Sequence, residues 1–189
     1  MDASLHTNRR TNPLKFALWS GMASIIMMFG AFTSAYIVRE ASGNWLEFNI
    51  PHQFYISTVV ILLSSLSAHY AYKSFLSGNA QMYRTLLIVA LILGITFLVF
   101  QVMGWYALSD KGIYLNGNPS GSFFYLISGV HAAHVIGGIA ALFVGVTQSI
   151  TQSYFVNEKR KLRFQLMNTY WHFVDILWIY LFIFFLLKN

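Results

Sequence analysis

The sequence contains no cysteine. Disulfides, thiolate metal sites and a cysteine nucleophile are therefore excluded. Charge is also scarce: Asp, Glu, Lys and Arg make up 10% of the 189 residues, against about a quarter in a soluble domain. So little charge cannot coat the outside of a water-soluble globule. An ordinary soluble enzyme, a disordered tail and a nucleic-acid-binding domain are excluded on that ground. What is abundant is apolar. Hydrophobic residues reach 57%, aromatics 17%, and the mean hydropathy is +0.57. The solvent for such a chain is lipid.

Acidic residues are fewer than basic ones, six against twelve, giving a net charge of +6. In a soluble protein that balance suggests nucleic acid. Here the charges fall in short loops between apolar runs, so they report membrane topology. No DNA- or RNA-reading motif is present, and no nucleic-acid partner is expected.

A spanning helix needs about 20 mostly apolar residues. Five segments qualify: residues 16–38, 54–72, 85–109, 122–151 and 164–187. The first is longer than the roughly 7–15 apolar residues of a signal peptide and reads as a retained helix. The fourth exceeds the required length and is expected to tilt or to extend past one interface. Lipid offers no hydrogen bonds to an exposed backbone, so the spans are helices. Asn116-Gly117-Asn118-Pro119 forms the clearest turn, and Asn44 and Pro51 break the chain between the first two spans. The expected fold is one all-α domain over residues 1–189, an integral membrane bundle of five transmembrane helices.

Lys and Arg set its orientation. Arg9, Arg10, Lys15, Lys73, Arg84, Lys159, Arg160, Lys161 and Arg163 fall on one side, against Arg39, Lys111 and Lys188 on the other. This places the N-terminus in the cytoplasm and the C-terminus in the periplasm. Trp19, Trp105 and Tyr106 lie near span ends, where interfacial anchors belong.

Ionisable groups inside a bilayer are costly and face protein or a cavity. His131 and His134 fall in the fourth span, His172 and Asp175 in the fifth. His69, four residues before Lys73, is expected near the cytoplasmic surface. Spacing of three puts each pair on one helix face. At 1.5 Å per residue, His131 lies about 16 Å from the cytoplasmic edge and His134 about 12 Å; His172 lies about 12 Å deep and Asp175 about 16 Å. His131 is thus expected level with Asp175, and His134 with His172. Gly137, Ala141 and Gly145 recur every four residues, with Gly138 one turn from His134, and small residues allow close helix packing in lipid. The favoured reading is two tightly packed helices whose register is locked by a hydrogen bond from His131 or His134 to the fifth helix. Three alternatives remain: a four-ligand metal site, bis-histidine haem ligation by His134 and His172, and a proton relay through Asp175.

The stretch Ser128-Gly-Val-His-Ala-Ala-His-Val-Ile-Gly-Gly138, followed by Tyr170-Trp-His-Phe-Val-Asp-Ile-Leu-Trp178, resembles subunit III of haem–copper terminal oxidases. That family carries a His-x-x-His-Val helix and then a Tyr-Trp-His-Phe-Val-Asp-x-x-Trp helix. Phe29-Gly-Ala-Phe with Ala35-Tyr36, Leu62-Leu-Ser-Ser65, and Gly94, Phe97, Leu98 and Gln101 extend the likeness over nearly all five spans. Many members have seven helices, and this chain resembles the shorter bacterial form. It departs at three positions where the family carries glutamate: Ile25, Gly104 and Gln165. Roles tied to those carboxylates are in doubt here.

The resemblance implies a subunit with no catalytic centre, cofactor or metal site of its own. Haems and copper would reside in subunits I and II. The chain would pack mainly on subunit I of a bacterial cytochrome c oxidase, with subunit II, small subunits or a larger respiratory supercomplex beside it, in the inner membrane and binding phospholipid. His131, His134, Tyr170, Trp171, His172, Asp175 and Trp178 would form its structural polar cluster. The equivalent subunit of a quinol oxidase, an accessory subunit of nitric oxide reductase and a stand-alone bis-histidine cytochrome are the alternatives.

Overall fold

In a computed structural model, residues 13–152, 154, 155 and 157–188 are described. Arg9 and Arg10 lie outside them. The chain forms five helices: α1 Pro13–Ala41, α2 His52–Leu76, α3 Ala80–Asp110, α4 Pro119–Thr151 and α5 Glu158–Lys188. All five are long and apolar enough to cross a membrane. No strand occurs among the described residues.

Each helix outruns its apolar span, because polar turns carry it into the headgroup zone. The extension is greatest in α5, which begins at Glu158 where the apolar run begins at 164. Glu158 in the first turn favours that start, since a carboxylate complements the positive helix N-terminus. The Asn79 side chain caps α3 by accepting from the Met82 amide, and Asn118 caps α4 by accepting from the Ser120 amide, with Pro119 opening the helix. Gly78, at φ +86, makes the tight turn from α2 into α3.

α2 and α3 form an antiparallel hairpin in contact along most of its length. Hydroxyls on α2 hold it: Ser64 donates to the Ala90 carbonyl at 2.7 Å, and Ser67 to the Leu86 carbonyl at 2.9 Å. At the other end Gln101 donates to Ser57, and Phe54 lies where a side chain on Gly104 would be. α4 packs on α3, and α5 closes the bundle against α2 and α4. α1 touches only α4 and α5. The outward faces carry large apolar side chains such as Ile92, Ile95 and Val99, while Ser57, Ser64, Gln101, Ser128, His131 and Asp175 are buried. Apolar outside and selectively polar inside is the distribution expected when lipid is the solvent.

Candidate functional site

The fourth and fifth helices meet around Trp171. A Cβ on Gly138 of α4 would stand 2.7 Å from the Trp171 ring, and one on Gly94 of α3 would stand 2.8 Å from it. The indole therefore fills a slot made by two glycines on two helices. Further along, a Cβ on Gly145 would meet the Met167 sulfur at 3.0 Å. Gly137 has no such close neighbour, its nearest being the Tyr170 hydroxyl at 3.8 Å, and it is exposed. Ala141 lines a cleft toward α1. The seam thus runs through Gly138 and Gly145, and not along the four-residue repeat that begins at Gly137.

His131 is fully buried, in an aromatic box. Its ring lies 5.0 Å from that of Trp178, 6.0 Å from Phe97 and 6.4 Å from Phe29. Neither ring nitrogen has a hydrogen-bond partner among the described residues. His134 is half-buried, donates from Nδ1 to the Val130 carbonyl of its own helix and packs on Phe29 of α1. The expected side-chain hydrogen bond from either histidine to α5 is thus not formed among the described residues. Polar links between α4 and α5 are instead the Tyr170 hydroxyl donating to the His134 carbonyl at 3.2 Å in mid-helix, and Arg160 donating to the Gln148 carbonyl at the arginine-bearing end.

The reason lies in which face of α5 looks where. Trp171 fills the side toward α3 and α4, and Trp178 stands among α2, α3 and α4. His172 turns to α2, where its Nδ1 shares a hydrogen bond with the Ser65 hydroxyl at 2.5 Å and its ring lies 5.9 Å from that of His69. Asp175 is 2% exposed, and neither of its carboxyl oxygens has a hydrogen-bond partner of good geometry among the described residues. Ser65, engaged by His172, is its polar neighbour. Trp178 donates from Nε1 to Thr58 of α2 at 2.9 Å. The expected levels are also shifted. His131 faces Trp178 and not Asp175, a displacement of three residues, or about 4.5 Å.

The two halves of the cluster therefore serve different interfaces. His134 looks to α1, His172 looks to α2, and Trp171 fills the space between α4 and α5. A haem bridging His134 and His172 does not fit that arrangement. Among the described residues no group of three or more His, Cys, Asp or Glu side chains converges to hold a metal ion.

Two further placements differ from the sequence reading. The His69 ring lies 5.9 Å from that of His172 and so belongs to the α2–α5 seam. Trp105 is half-buried and donates to Ser128 of α4 at 3.0 Å, so it joins helices, whereas Trp19 and Tyr106 are exposed as anchors would be. Ser65, Thr58 and Gly94 were the partners that sequence reasoning left without a role. Only the three-dimensional register pairs them with His172, Trp178 and Trp171.

At the end of the bundle bearing Arg160 and Arg163, a cleft of about 530 Å³ separates Leu18 of α1 from α4 and α5. Its walls are apolar, with Val144, Phe164 and Met167 among them, and the two arginines stand at its mouth. Arg160 also reaches the Gln148 carbonyl at 3.2 Å. At the opposite end Lys188 pairs with Glu40 at 2.9 Å, tying α5 to α1.

Fold and cluster together define a multi-pass, all-helical membrane protein whose buried polar residues join helices. Sequence comparison makes the identification specific. The family model described as cytochrome c oxidase subunit III matches residues 4–188. Cytochrome c oxidase subunit 3 of Corynebacterium diphtheriae is 31% identical over 166 residues, which cover 84% of this chain and 80% of that protein. The probable cytochrome c oxidase subunit 3 of Mycobacterium leprae is 31% identical, covering 94% of this chain and 89% of its own length. That of Rickettsia bellii is 31% identical, covering 92% and 70%. The chain belongs to the cytochrome c oxidase subunit III family. It is subunit III of a haem–copper oxidase, an oxidoreductase complex whose other subunits are its partners.

Proposed function

We propose that this chain is a non-catalytic subunit of a bacterial cytochrome c oxidase, in the inner membrane with its N-terminus in the cytoplasm. The complex would pass electrons from cytochrome c to oxygen, forming water and pumping protons. Haems and copper would sit in subunits I and II, and this chain would pack mainly on subunit I. The observation that carries the reading is Trp171, seated between Gly94 and Gly138. The space between the two motif-bearing helices is filled by an indole. Its chemistry is that of a packing key.

The cleft beside α1 supports a lipid role. An apolar groove with Arg160 and Arg163 at its mouth matches a phospholipid, with acyl chains in the groove and phosphate at the guanidinium groups. Its position also suits the orientation, because the arginine end is the cytoplasmic one by the Lys/Arg distribution.

Selective removal tests the non-catalytic assignment. The intact oxidase is washed in a harsher detergent until this chain is lost, and the remainder is assayed. The visible haem spectrum and the initial rate of oxygen consumption should survive, while the activity decays faster over successive turnovers. Loss of a haem band in step with loss of this chain would overturn the assignment.

A further inference from the structure

The seam between α2 and α5 opens onto the outside of the bundle. Ser65 and His172 share their hydrogen bond there, both half-buried, and His69 beside them is exposed. Leu66 and Ile176 flank the opening and are 55% and 65% exposed. Ser65 lies thirteen residues from the start of α2 and eleven from its end, about 20 and 17 Å. His172 lies fourteen residues from the start of α5 and sixteen from its end, about 21 and 24 Å. The pair is therefore at mid-depth. Asp175 neighbours Ser65, and among the described residues neither its carboxyl oxygens nor Nε2 of His172 has a hydrogen-bond partner of good geometry.

Acyl chains cannot face such a group without cost. Ionisable side chains at this depth face protein or a water-filled cavity. His131 obeys that rule, fully buried among Trp178, Phe97 and Phe29. The outer face of α3 shows what a lipid-facing wall looks like here, with Ile92, Ile95 and Val99 exposed. The α2–α5 seam is built differently.

We infer that the outer seam of α2 and α5, centred on Ser65, His69 and His172, is a docking face for a transmembrane helix of a neighbouring oxidase subunit. That helix presents a hydrogen-bonding side chain, a hydroxyl, amide or carboxyl, at mid-membrane. The inference rests on the chain's being a subunit of the oxidase. Leu66 and Ile176 supply the apolar rim that packs on the helix, and the imidazoles supply its polar centre. A second copy of this chain matches less well, because two-fold symmetry would set the same imidazoles against each other.

The test places a photo-crosslinking amino acid at Leu66 or Ile176 in the intact oxidase, with Ile92 and Val99 as lipid-facing controls. The first two positions should yield adducts with another oxidase subunit several-fold above the controls. Adducts with lipid alone, or with a second copy of this chain, would overturn the inference. His69→Leu gives an independent reading, since His69 is exposed and holds no helix in place. Because its ring also neighbours that of His172 across the seam, the melting curve of the variant is read alongside: retention in the complex should fall several-fold through a detergent wash while the melting temperature stays unchanged. Unchanged retention would count against the docking face. Co-purification of haem-bearing subunits with the unsubstituted chain is scored on the same preparation. Its failure removes the oxidase reading and the inference together, whereas its success with lipid-only adducts removes the docking face alone.

Discussion

At the scale of single residues, the sharpest constraint is the slot for Trp171. A methyl group at position 138 would lie 2.7 Å from the indole, and the far wall at Gly94 is equally close. The ring cannot retreat. Gly138→Ala should therefore destabilise the protein by about 1–3 kcal/mol, the usual cost of overpacking. Gly137→Ala, one residue away, adds its methyl group at ordinary contact distance and should change stability by less than about 0.5 kcal/mol. Thermal denaturation of the two variants in detergent checks the contrast. Trp178→Phe removes the bond to Thr58 and should cost about 1 kcal/mol, read from the same melting curves. The sequence named Trp171 and Trp178 as members of one cluster, because the motif is long and the residues are unusual, and set Gly138 among the helix-packing residues. It ranked Gly137 with the packing glycines because a four-residue repeat looks like a helix face. Adjacent glycines differ by 100° around a helix, and nothing in a repeat says which of the two meets a neighbour.

At the scale of helices, five apolar runs were enough to count the elements and order them. Their ends were less legible, since charged turns such as Glu158–Arg163 extend a helix without adding apolar residues. Facing was least legible. His172 and Asp175 share a helix with Trp171, yet its indole looks to α3 and α4 while His172 looks to α2. Spacing along one helix groups residues but does not name the helix they face. α1 is the loosest element, held by α4 and α5 alone. One of its ties is the hydrogen bond between the hydroxyls of Thr33 and Tyr180 at 2.9 Å. Tyr180→Phe deletes it at a cost of about 1 kcal/mol. Backbone amides of α1 should then exchange hydrogen faster, with those of α2 and α3 unchanged.

At the scale of the whole molecule, scarcity of charge becomes a map of orientation. Asp175 is the one Asp, Glu, Lys or Arg residue well inside an apolar span of the sequence, and the Lys and Arg residues outside the spans fall nine to three between the two sides. Because the chain has no cysteine, one introduced cysteine reports its own side. In whole cells, an impermeant maleimide should label Asn116→Cys, in the loop between α3 and α4. It should leave Gln152→Cys, between α4 and α5, unlabelled until the membrane is opened. The reverse pattern would invert the topology. The subunit role itself was legible through the two motifs, which together cover the α4–α5 pair. The division of that cluster between two interfaces was not, because it depends on three helices at once.

The central claim is that this chain is a scaffold within an oxidase and holds no redox centre of its own. Affinity purification in mild detergent, followed by mass spectrometry and a visible spectrum of the complex and of the separated chain, tests it most directly. The account predicts haem-bearing subunits and a Soret band in the complex, and no Soret band in the separated chain. A Soret band that stays with the separated chain, or a complex without haem-bearing partners, would contradict it.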